Sequence, residues 1–300
     1  MTLRIDGLSK RFGAVQALDG ISFSVEPGEV FGFLGANGAG KTTTMRIVLG
    51  LMRADAGTVT WRGRPAHDWP RRTWGYMPED RGLYLRMTVI DQLVHFAALY
   101  GVPRRQARTL ALDWLARFRI ADLADRRADT LSKGNQQKVQ YIATILQDPD
   151  VLLMDEPFVG LDPVNVALLR SAFLEAREAG KTLVFSTHQL DQAQALCDSV
   201  AIIDHGRLVT SGSTLEVRRS TGRRAVRIAT SATTSGDGEA WATGLPGVTV
   251  ARAGNDGLEL RVEAGLDPQS ILRAAVGRGE EILHFEVGDP SLEDVFVERV

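Results

Sequence analysis

The sequence has little cysteine and almost no imbalance of charge. Its 300 residues include one cysteine, Cys197, which excludes a disulfide framework and favours a cytosolic setting. Lysine and arginine total 35, aspartate and glutamate total 37, and the formal net charge is −2. This balance creates no long-range field for nucleic acid, although it is compatible with a local basic patch. We expect no nucleic-acid partner.

Long apolar runs are also missing from the sequence. No uninterrupted run approaches the roughly 20 apolar residues that span a bilayer as a helix. The first residues, MTLRIDGLSKRFG, lack the apolar centre of a secretion signal. We therefore expect that the chain itself forms no membrane pathway. The length suits one large domain, or one domain plus a small appendage.

The first two thirds of the sequence predict an α/β fold with a mostly parallel sheet. The run Val30–Leu34 is continuously apolar, which is typical of a buried central strand. From residue 131 onward, helical stretches alternate with apolar runs at 151–154, 182–186 and 200–203. The middle third predicts helices, and one of them has Thr88 as its N-cap with Asp91 three residues later.

After Arg224 the pattern changes to strand, helix, strand, strand, helix, strand. This order is typical of a small ferredoxin-like α+β domain. Residues 233–238 and 254–257 are predicted turns. We place the boundary near residues 215–224, with domains at 1–217 and 225–300. Four arginines at this boundary, Arg218, Arg219, Arg223 and Arg224, predict a solvated linker, with a lipid head-group contact as the alternative.

The first chemical motif is a phosphate-binding loop, Gly35-Ala36-Asn37-Gly38-Ala39-Gly40-Lys41-Thr42. Its glycines let backbone N–H groups face phosphate oxygens, and the helix that follows adds its positive N-terminal end. Lys41 can reach the β- and γ-phosphates, and the Thr42 hydroxyl can ligate Mg²⁺. Alone, the loop predicts only a nucleotide phosphate, because GTPases and small-molecule kinases share it.

Two further motifs carry chemistry. Asp155 and Glu156 follow the apolar run 151–154, where Asp155 can hold Mg²⁺ and Glu156 can polarise a water for attack on the γ-phosphate. In the run LSKGNQQ (131–137), Ser132 can cap a helix and Gly134 permits close backbone approach. Such a helix start is a second anion site, and an ordinary capped helix is the alternative.

These motifs, in this order, resemble those of the ATP-binding-cassette (ABC) ATPases, whose signature is usually written LSGGQ. The resemblance covers roughly residues 1–215 and includes Gly160-Leu161-Asp162-Pro163 and Ser186-Thr187-His188. It implies a P-loop nucleotide-binding domain with a RecA-like sheet, an antiparallel β-subdomain and a helical subdomain. GYMPEDRGLY (75–84), LSKGNQQK and the ending PSLEDVF (290–296) are similar to a bacterial subgroup that pairs with type-2 export permeases. That subgroup includes sodium and drug efflux ATPases with a C-terminal domain of this size.

The resemblance also implies a role for each motif residue. Phe12 would stack on adenine beside Val15, Asn37 through Thr43 would hold the phosphates, and Thr42 with Asp155 would serve Mg²⁺. Glu156 would act as the general base, and His188 would contact the γ-phosphate and help to hold the attacking water. The start of the signature helix in a second cassette would contact the same γ-phosphate through Ser132, Lys133, Gly134 and Asn135.

The partners implied by the resemblance are a separate integral-membrane permease and a second ABC cassette, with ATP and Mg²⁺ bound between the cassettes. The implied location is the cytoplasm, peripheral on the inner face of the cell membrane, and the implied function is export of an unidentified substrate. A non-transport ABC ATPase acting on ribosomes or DNA, and an importer ATPase, are the alternatives. A GTPase is disfavoured because the sequence lacks an N-K-x-D motif.

Two positions depart from the family pattern. Glu79 stands where the family has its Q-loop glutamine, and the signature has Lys133 and Asn135 in place of glycine and glutamine. A carboxylate at position 79 can still take Mg²⁺ through oxygen, and it adds negative charge beside the γ-phosphate. We hypothesise that Lys133, near the phosphates of the partner cassette, offsets that charge.

A salt titration of ATP affinity tests this hypothesis. We expect Glu79→Gln and Lys133→Gly to change both the affinity and its salt dependence, because each alters the charge around one phosphate group. The double variant should show less than the sum of the two effects on the binding free energy. Independent, additive effects of the two substitutions would count against the compensation.

Overall fold

The computed structural model describes residues 2–80, 82–231, 238–254 and 256–300. The chain divides into two compact units, Met1–Gly212 and Ser213–Val300. This division precedes the predicted boundary because a capping box between Ser213 and Glu216 already starts a helix at Thr214. The predicted turn at 233–237, the turn residue Asn255 and Arg81 of the 75–84 motif lie outside the described residues.

The first unit is built from two sheets and the helices around them. Its strands, in chain order, are β1 (Leu3–Phe12), β2 (Val15–Val25), β3 (Val30–Leu34), β4 (Ala56–Trp61), β5 (Arg64–Pro65), β6 (Trp74–Met77), β7 (Val151–Asp155), β8 (Thr182–Thr187), β9 (Ser199–Asp204) and β10 (Arg207–Ser213). Its α-helices are α1 (Lys41–Val48), α2 (Val89–Leu99), α3 (Arg104–Arg117), α4 (Lys133–Ile145), α5 (Pro163–Glu178) and α6 (Leu190–Leu196).

The larger sheet positions the chemical motifs. Its strand order is β10-β9-β3-β8-β7-β6, and the pairs from β9 to β6 are parallel. Every residue of β3, β7 and β8 is buried, as predicted for strands covered on both faces. Leu34 pairs with Thr187, and Asp155 pairs with Ser186. The segments that follow these three strands therefore meet at one edge of the sheet.

The smaller sheet, in the order β2-β1-β4-β5, is antiparallel and extends further than the sequence predicted. The apolar and β-branched runs Leu3–Ile5 and Ile21–Val25 predict only short strands, whereas β1 spans 10 residues and β2 spans 11. The pairing register shifts between Ile5 and Leu8, and Gly7 in between has a φ of 60°. A β-bulge thus lets β1 continue past Gly7, although a positive φ is typical of turns.

Two predicted N-caps are confirmed, and they fix the starts of α2 and α4. The side chain of Thr88 accepts a hydrogen bond from the backbone N–H of Asp91. The side chain of Ser132 accepts one from the backbone N–H of Asn135. Each bond satisfies a backbone donor that a helix leaves unpaired at its first turn.

The second unit has the predicted ferredoxin-like topology. Its elements are α7 (Thr214–Arg219), β11 (Arg224–Thr230), α8 (Gly238–Thr243), β12 (Val248–Gly254), β13 (Gly257–Val262), α9 (Gln269–Gly277), β14 (Ile282–Gly288) and α10 (Leu292–Arg299). The sheet order is β12-β13-β11-β14 with antiparallel pairs. Val226, Leu260, Val262 and Ile271 are buried in its own apolar core.

The arginines at the start of the second unit are not a free linker. Arg219 and Arg224 both pair with Asp289, at 3.0 and 2.6 Å. Arg218 donates through Nε to the carbonyl oxygen of Pro290 at 2.7 Å, and Arg223 pairs with Glu298 at 3.3 Å. The prediction of a linker is therefore wrong, because these side chains join the beginning of the unit to its end. The prediction of solvated arginines is right for Arg219 and Arg224, whose side chains are 57% and 51% exposed.

Across the described ranges, none of the helices combines the length and apolarity that a bilayer crossing requires.

The close packing of α4 on β6 at Gly75 yields a stability prediction. A Cβ at Gly75 would lie 2.7 Å from Leu152 Cδ2 and 2.8 Å from the Thr144 carbonyl oxygen. We expect Gly75→Ala to lower the free energy of unfolding by about 2 kcal/mol, because the core must shift to accept the methyl group. Urea denaturation measures this change.

Gly82→Ala is the matched control, because a Cβ at Gly82 would meet only Pro78 Cγ at 3.9 Å. Its effect should stay within about 0.5 kcal/mol. Equal destabilisation by the two substitutions would contradict the close approach of α4 to β6.

Candidate functional site

The loop between β3 and α1 requires glycine at two positions for two different reasons. Gly40 has a φ of 110°, and a Cβ there would lie 2.7 Å from the carbonyl oxygen of Ala17. A Cβ at Gly35 would lie 2.3 Å from the carbonyl oxygen of Ile203. The loop is therefore closely packed on its inner side, where Ala39 is also buried. Its outer side carries Asn37 and faces an open cleft.

Lys41 is buried and folded back onto the phosphate loop. Its Nζ donates to the carbonyl oxygens of Gly35 and Ala36, at 2.7 and 3.1 Å, and lies 4.0 Å from Glu156 Oε1. Burial lowers the pKa of Lys41, and the carboxylates of Glu156, Asp155 and Glu79 oppose that effect. The ammonium group thus donates to two neutral carbonyl oxygens and lies at the outer limit of an ion pair with Glu156.

Asp155 joins the phosphate loop to the end of β8. The Thr42 hydroxyl donates to Asp155 Oδ2 at 2.6 Å, and the Ser186 hydroxyl donates to Asp155 Oδ1. Asp155 is 1% exposed. A hydroxyl and a carboxylate that meet in this way are hard oxygen donors of the kind that Mg²⁺ prefers.

Glu156 is fixed beside Asp155 by a different set of donors. Its carboxylate accepts from the backbone N–H of His188 at 3.1 Å and from the Thr187 hydroxyl at 3.2 Å. The Nδ1 atom of His188 lies 2.8 Å from the same carboxylate oxygen, Oε1. The backbone of Glu156 has a φ of 49°, which is uncommon for a residue other than glycine.

The cleft gathers half of the predicted site residues. It has a volume of about 370 Å³ and is lined by Ala17, Asn37, Gly38, Gly40, Lys41, Thr42, Thr43, Glu79, Asp155 and Glu156. Ala17 was not predicted, because a small apolar residue in β2 has no sequence signal. Glu79 is exposed to the cleft, so one lysine faces three carboxylates among the lining residues.

The remaining predicted residues lie outside the lining of this cleft. Gly134 is at the start of α4, where a Cβ would lie 3.6 Å from Leu161 Cδ2 and 3.7 Å from Asn165 Nδ2. Ser132 and Lys133 beside it are exposed. The signature segment and the Gly160–Pro163 segment thus form a second cluster, which is separate from the cleft of the same chain.

The residues predicted to meet an adenine are on the surface. Phe12 and Val15 pair across the end of the β1–β2 sheet and are 46% and 65% exposed. Phe12 is therefore not part of an apolar core.

Comparisons with known proteins decide the family. Residues 18–159 match the family model described as ABC transporter, and residues 212–300 match the model described as the C-terminal domain of ATP-binding protein DrrA1-3-like. The ABC transporter ATP-binding protein YhaQ of Bacillus subtilis is 40% identical over 298 residues, covering 99% of this chain and 98% of that protein. The chain belongs to the ABC transporter ATP-binding family. Its activity is ATP hydrolysis coupled to transport.

Other ABC proteins share one or both parts of this chain. The daunorubicin/doxorubicin resistance ATP-binding protein DrrA of Streptomyces peucetius is 33% identical, covering 98% of this chain and 91% of its own. The Nod factor export ATP-binding protein I of Ralstonia nicotianae is 38% identical over 72% of this chain and 68% of its own. A solved ATP-binding subunit of an ABC transporter is 32% identical, with a TM-score of 0.69, and covers 74% of this chain and 94% of its own.

The Ser186 hydroxyl yields a prediction for the cleft. It donates to Asp155 and also lies 3.3 Å from the backbone nitrogen of Glu156, so it orients both neighbours. We expect Ser186→Ala to weaken the Mg²⁺-dependent part of ATP binding by about tenfold, since loss of such a supporting hydrogen bond misplaces a metal ligand. A fluorescent ATP analogue titrated with and without Mg²⁺ measures this effect.

Ser171→Ala is the matched control, because Ser171 is exposed on α5 and its hydroxyl donates to the carbonyl oxygen of Ala167 in the same helix. It should leave the titration unchanged. Wild-type behaviour of Ser186→Ala would contradict the assignment of Ser186 to the support of Asp155.

Proposed function

We propose that this chain powers export of a substrate through a separate membrane permease. The observation that carries the proposal is the two-part architecture, an ABC unit followed by a DrrA-like C-terminal domain, shared over nearly the whole chain with DrrA. A relative named for Nod factor export supports the same direction of transport. The chemical identity of the exported substrate is not part of the proposal.

ATP enters the cleft with its base against Phe12 and Val15. The exposure of both side chains at the end of the sheet supports this role, because a buried ring would have no free face for stacking. The phosphates lie along the loop from Gly35 to Thr43, where backbone N–H groups and the N-terminus of α1 favour negative charge. Lys41 exchanges its carbonyl partners for the β- and γ-phosphate oxygens.

The residues around Asp155 fit Mg²⁺. Thr42 and Asp155 would hold the ion, since their oxygens already meet at 2.6 Å, and Glu79 in the same cleft offers a further carboxylate oxygen. When bound, the ion neutralises phosphate charge during transfer. Charge balance supports its presence, because the three carboxylates of the cleft would otherwise repel the triphosphate.

Glu156 acts as the general base for the attacking water, and His188 orients it. The carboxylate has two fixed hydrogen-bond donors on the β8 side, from Thr187 and His188, which hold it in one orientation. The water oxygen bonds to the γ-phosphorus while the water proton passes to Glu156. The bond from the γ-phosphorus to the β–γ bridging oxygen breaks, and ADP leaves with that oxygen. His188 is partly exposed, so its ring can contact the γ-phosphate when nucleotide is present.

A second cassette completes the site. Ser132, Lys133, Gly134 and Asn135 lie outside the cleft of their own chain and are available to another copy or to a different cassette. The N-terminus of α4 offers backbone N–H groups to the γ-phosphate, and Lys133 adds a positive charge. The excess of carboxylates in the cleft supports this placement of a cation from outside.

The chain works at the inner face of the membrane, against its permease. Tyr84, Leu85 and Leu99 are 51%, 52% and 66% exposed, and Tyr84 stacks on Phe96 of α2. An exposed aromatic and aliphatic group of this kind, close in sequence to Glu79, supports a protein contact here. Movement of the Glu79 segment on ATP binding would then reach the permease through α2.

Glu156→Gln tests the assignment of the base. The amide keeps the size of the side chain but accepts no proton, so we expect turnover to fall by about 10²- to 10⁴-fold. Binding of ATP should persist, because Lys41, Thr42 and Asp155 are unchanged. Phosphate release in the presence of the permease and equilibrium ATP binding measure the two quantities.

Glu178→Gln, at the exposed end of α5, is the matched control and should leave both quantities unchanged. Full turnover by Glu156→Gln would show that another group accepts the proton.

A further inference from the structure

One face of α4 carries polar side chains that hydrogen-bond to the backbone of β6, of the Glu79 segment and of the residue after Glu156. Gln137, Gln140 and Thr144 are spaced three and four residues apart, so they share a face of the helix. All three are buried, at 5%, 4% and 6% exposure. Buried amide and hydroxyl groups are retained at a cost in solvation, which their hydrogen bonds offset only when the geometry is good.

Each of these side chains donates to a different backbone carbonyl. Gln137 Nε2 donates to the carbonyl oxygen of Pro157, next to Glu156, at 3.1 Å. The Thr144 hydroxyl lies 2.9 Å from the carbonyl oxygen of Gln140 and 3.3 Å from that of Tyr76, within β6. Gln140 lies between them on the helix and is the member that reaches the Glu79 segment.

The Gln140 amide contacts the backbone on both sides of Glu79. Its Nε2 donates to the carbonyl oxygen of Pro78 at 2.6 Å and lies 3.4 Å from that of Asp80. The opposite orientation of the amide would place its oxygen against two carbonyl oxygens, which have no proton to donate. The amide nitrogen, and not the amide oxygen, therefore faces this segment. The carbonyl groups of the residues before and after Glu79 are both in contact with α4 through Gln140.

We infer that Gln140 is a positioning residue, which sets the Glu79 carboxylate in the nucleotide cleft and ties its position to α4. Glu79 faces the cleft from an exposed segment between β6 and α2, where a side chain without such support would have several orientations. Helix α4 also begins at Ser132, and this end is the one proposed to contact nucleotide bound to a second cassette. The hydrogen bond from Gln140 therefore links Glu79 of one nucleotide site to the helix end that serves the other site. This inference rests on the proposed function, in which Glu79 serves bound Mg²⁺.

The test measures the magnesium increment, defined as the ratio of affinities for the non-hydrolysable analogue AMP-PNP in Mg²⁺ and in EDTA. Calorimetry on the full chain gives both affinities without any turnover. Gln140→Met keeps the length and volume of the side chain but removes the donor. We expect it to reduce the magnesium increment by about tenfold, as for loss of a group that orients a metal ligand.

Two comparisons make the role specific to Glu79. Glu79→Gln should reduce the magnesium increment by a similar factor, and the double variant Glu79→Gln with Gln140→Met should show no further reduction. Thr144→Val is the matched control, because it removes a buried hydroxyl from the same face of α4 and leaves the Gln140 amide unchanged. That hydroxyl meets the backbone carbonyl oxygens of Gln140 and Tyr76 and none of the Glu79 segment's described atoms. It should keep the wild-type increment even if it lowers thermal stability.

The outcomes separate the inference from the proposed function. A wild-type chain without any magnesium increment would overturn the proposed function. A normal wild-type increment that survives Gln140→Met, or reductions by the two substitutions that multiply in the double variant, would overturn the inference alone. If Gln140→Met does not fold, Gln140→Ala carries the same test, because it removes the donor and keeps a strong helix former.

Discussion

The hydrogen bonds of Asp155 are the constraint on which the site depends. Thr42, at the start of α1, and Ser186, at the end of β8, both donate to this one buried carboxylate. The phosphate loop, the end of β7 and the end of β8 are thereby fixed relative to each other before any nucleotide binds. Parallel strands bring these ends to one edge of the sheet, but the hydroxyl–carboxylate contacts set the positions of individual oxygen atoms.

The same arrangement gives two adjacent acidic residues different environments. Asp155 accepts hydrogen bonds from two hydroxyl groups, whereas Glu156 accepts from one hydroxyl and from the backbone N–H of His188 and also meets the His188 ring. Asp155 is thus suited to bind a cation, and Glu156 is suited to accept a proton. The excess negative charge of the cleft favours both Mg²⁺ and a cationic residue from a second cassette.

Much of this could be predicted from the sequence because glycine spacing, N-caps and apolar runs are local signals. The phosphate loop, the capped start at Ser132 and the buried strand Val30–Leu34 are of this kind. Three features depend on residues distant in sequence. They are the extension of β1 through Gly7, the position of Ala17 in the cleft and the hydrogen bond from Gln140 to the Glu79 segment. The boundary arginines were misjudged for the same reason, since Asp289, which holds two of them, lies at the other end of the second unit.

The proposed roles of Asp155 in metal binding and of Glu156 in proton transfer can be tested directly with Mn²⁺ in place of Mg²⁺. Electron paramagnetic resonance counts the Mn²⁺ bound to the full chain in the presence of AMP-PNP, without any catalytic turnover. The account predicts that Asp155→Asn loses Mn²⁺ affinity by at least about tenfold, whereas Glu156→Gln binds the ion as the wild type does. Retention of Mn²⁺ by Asp155→Asn, or its loss from both variants alike, would contradict it.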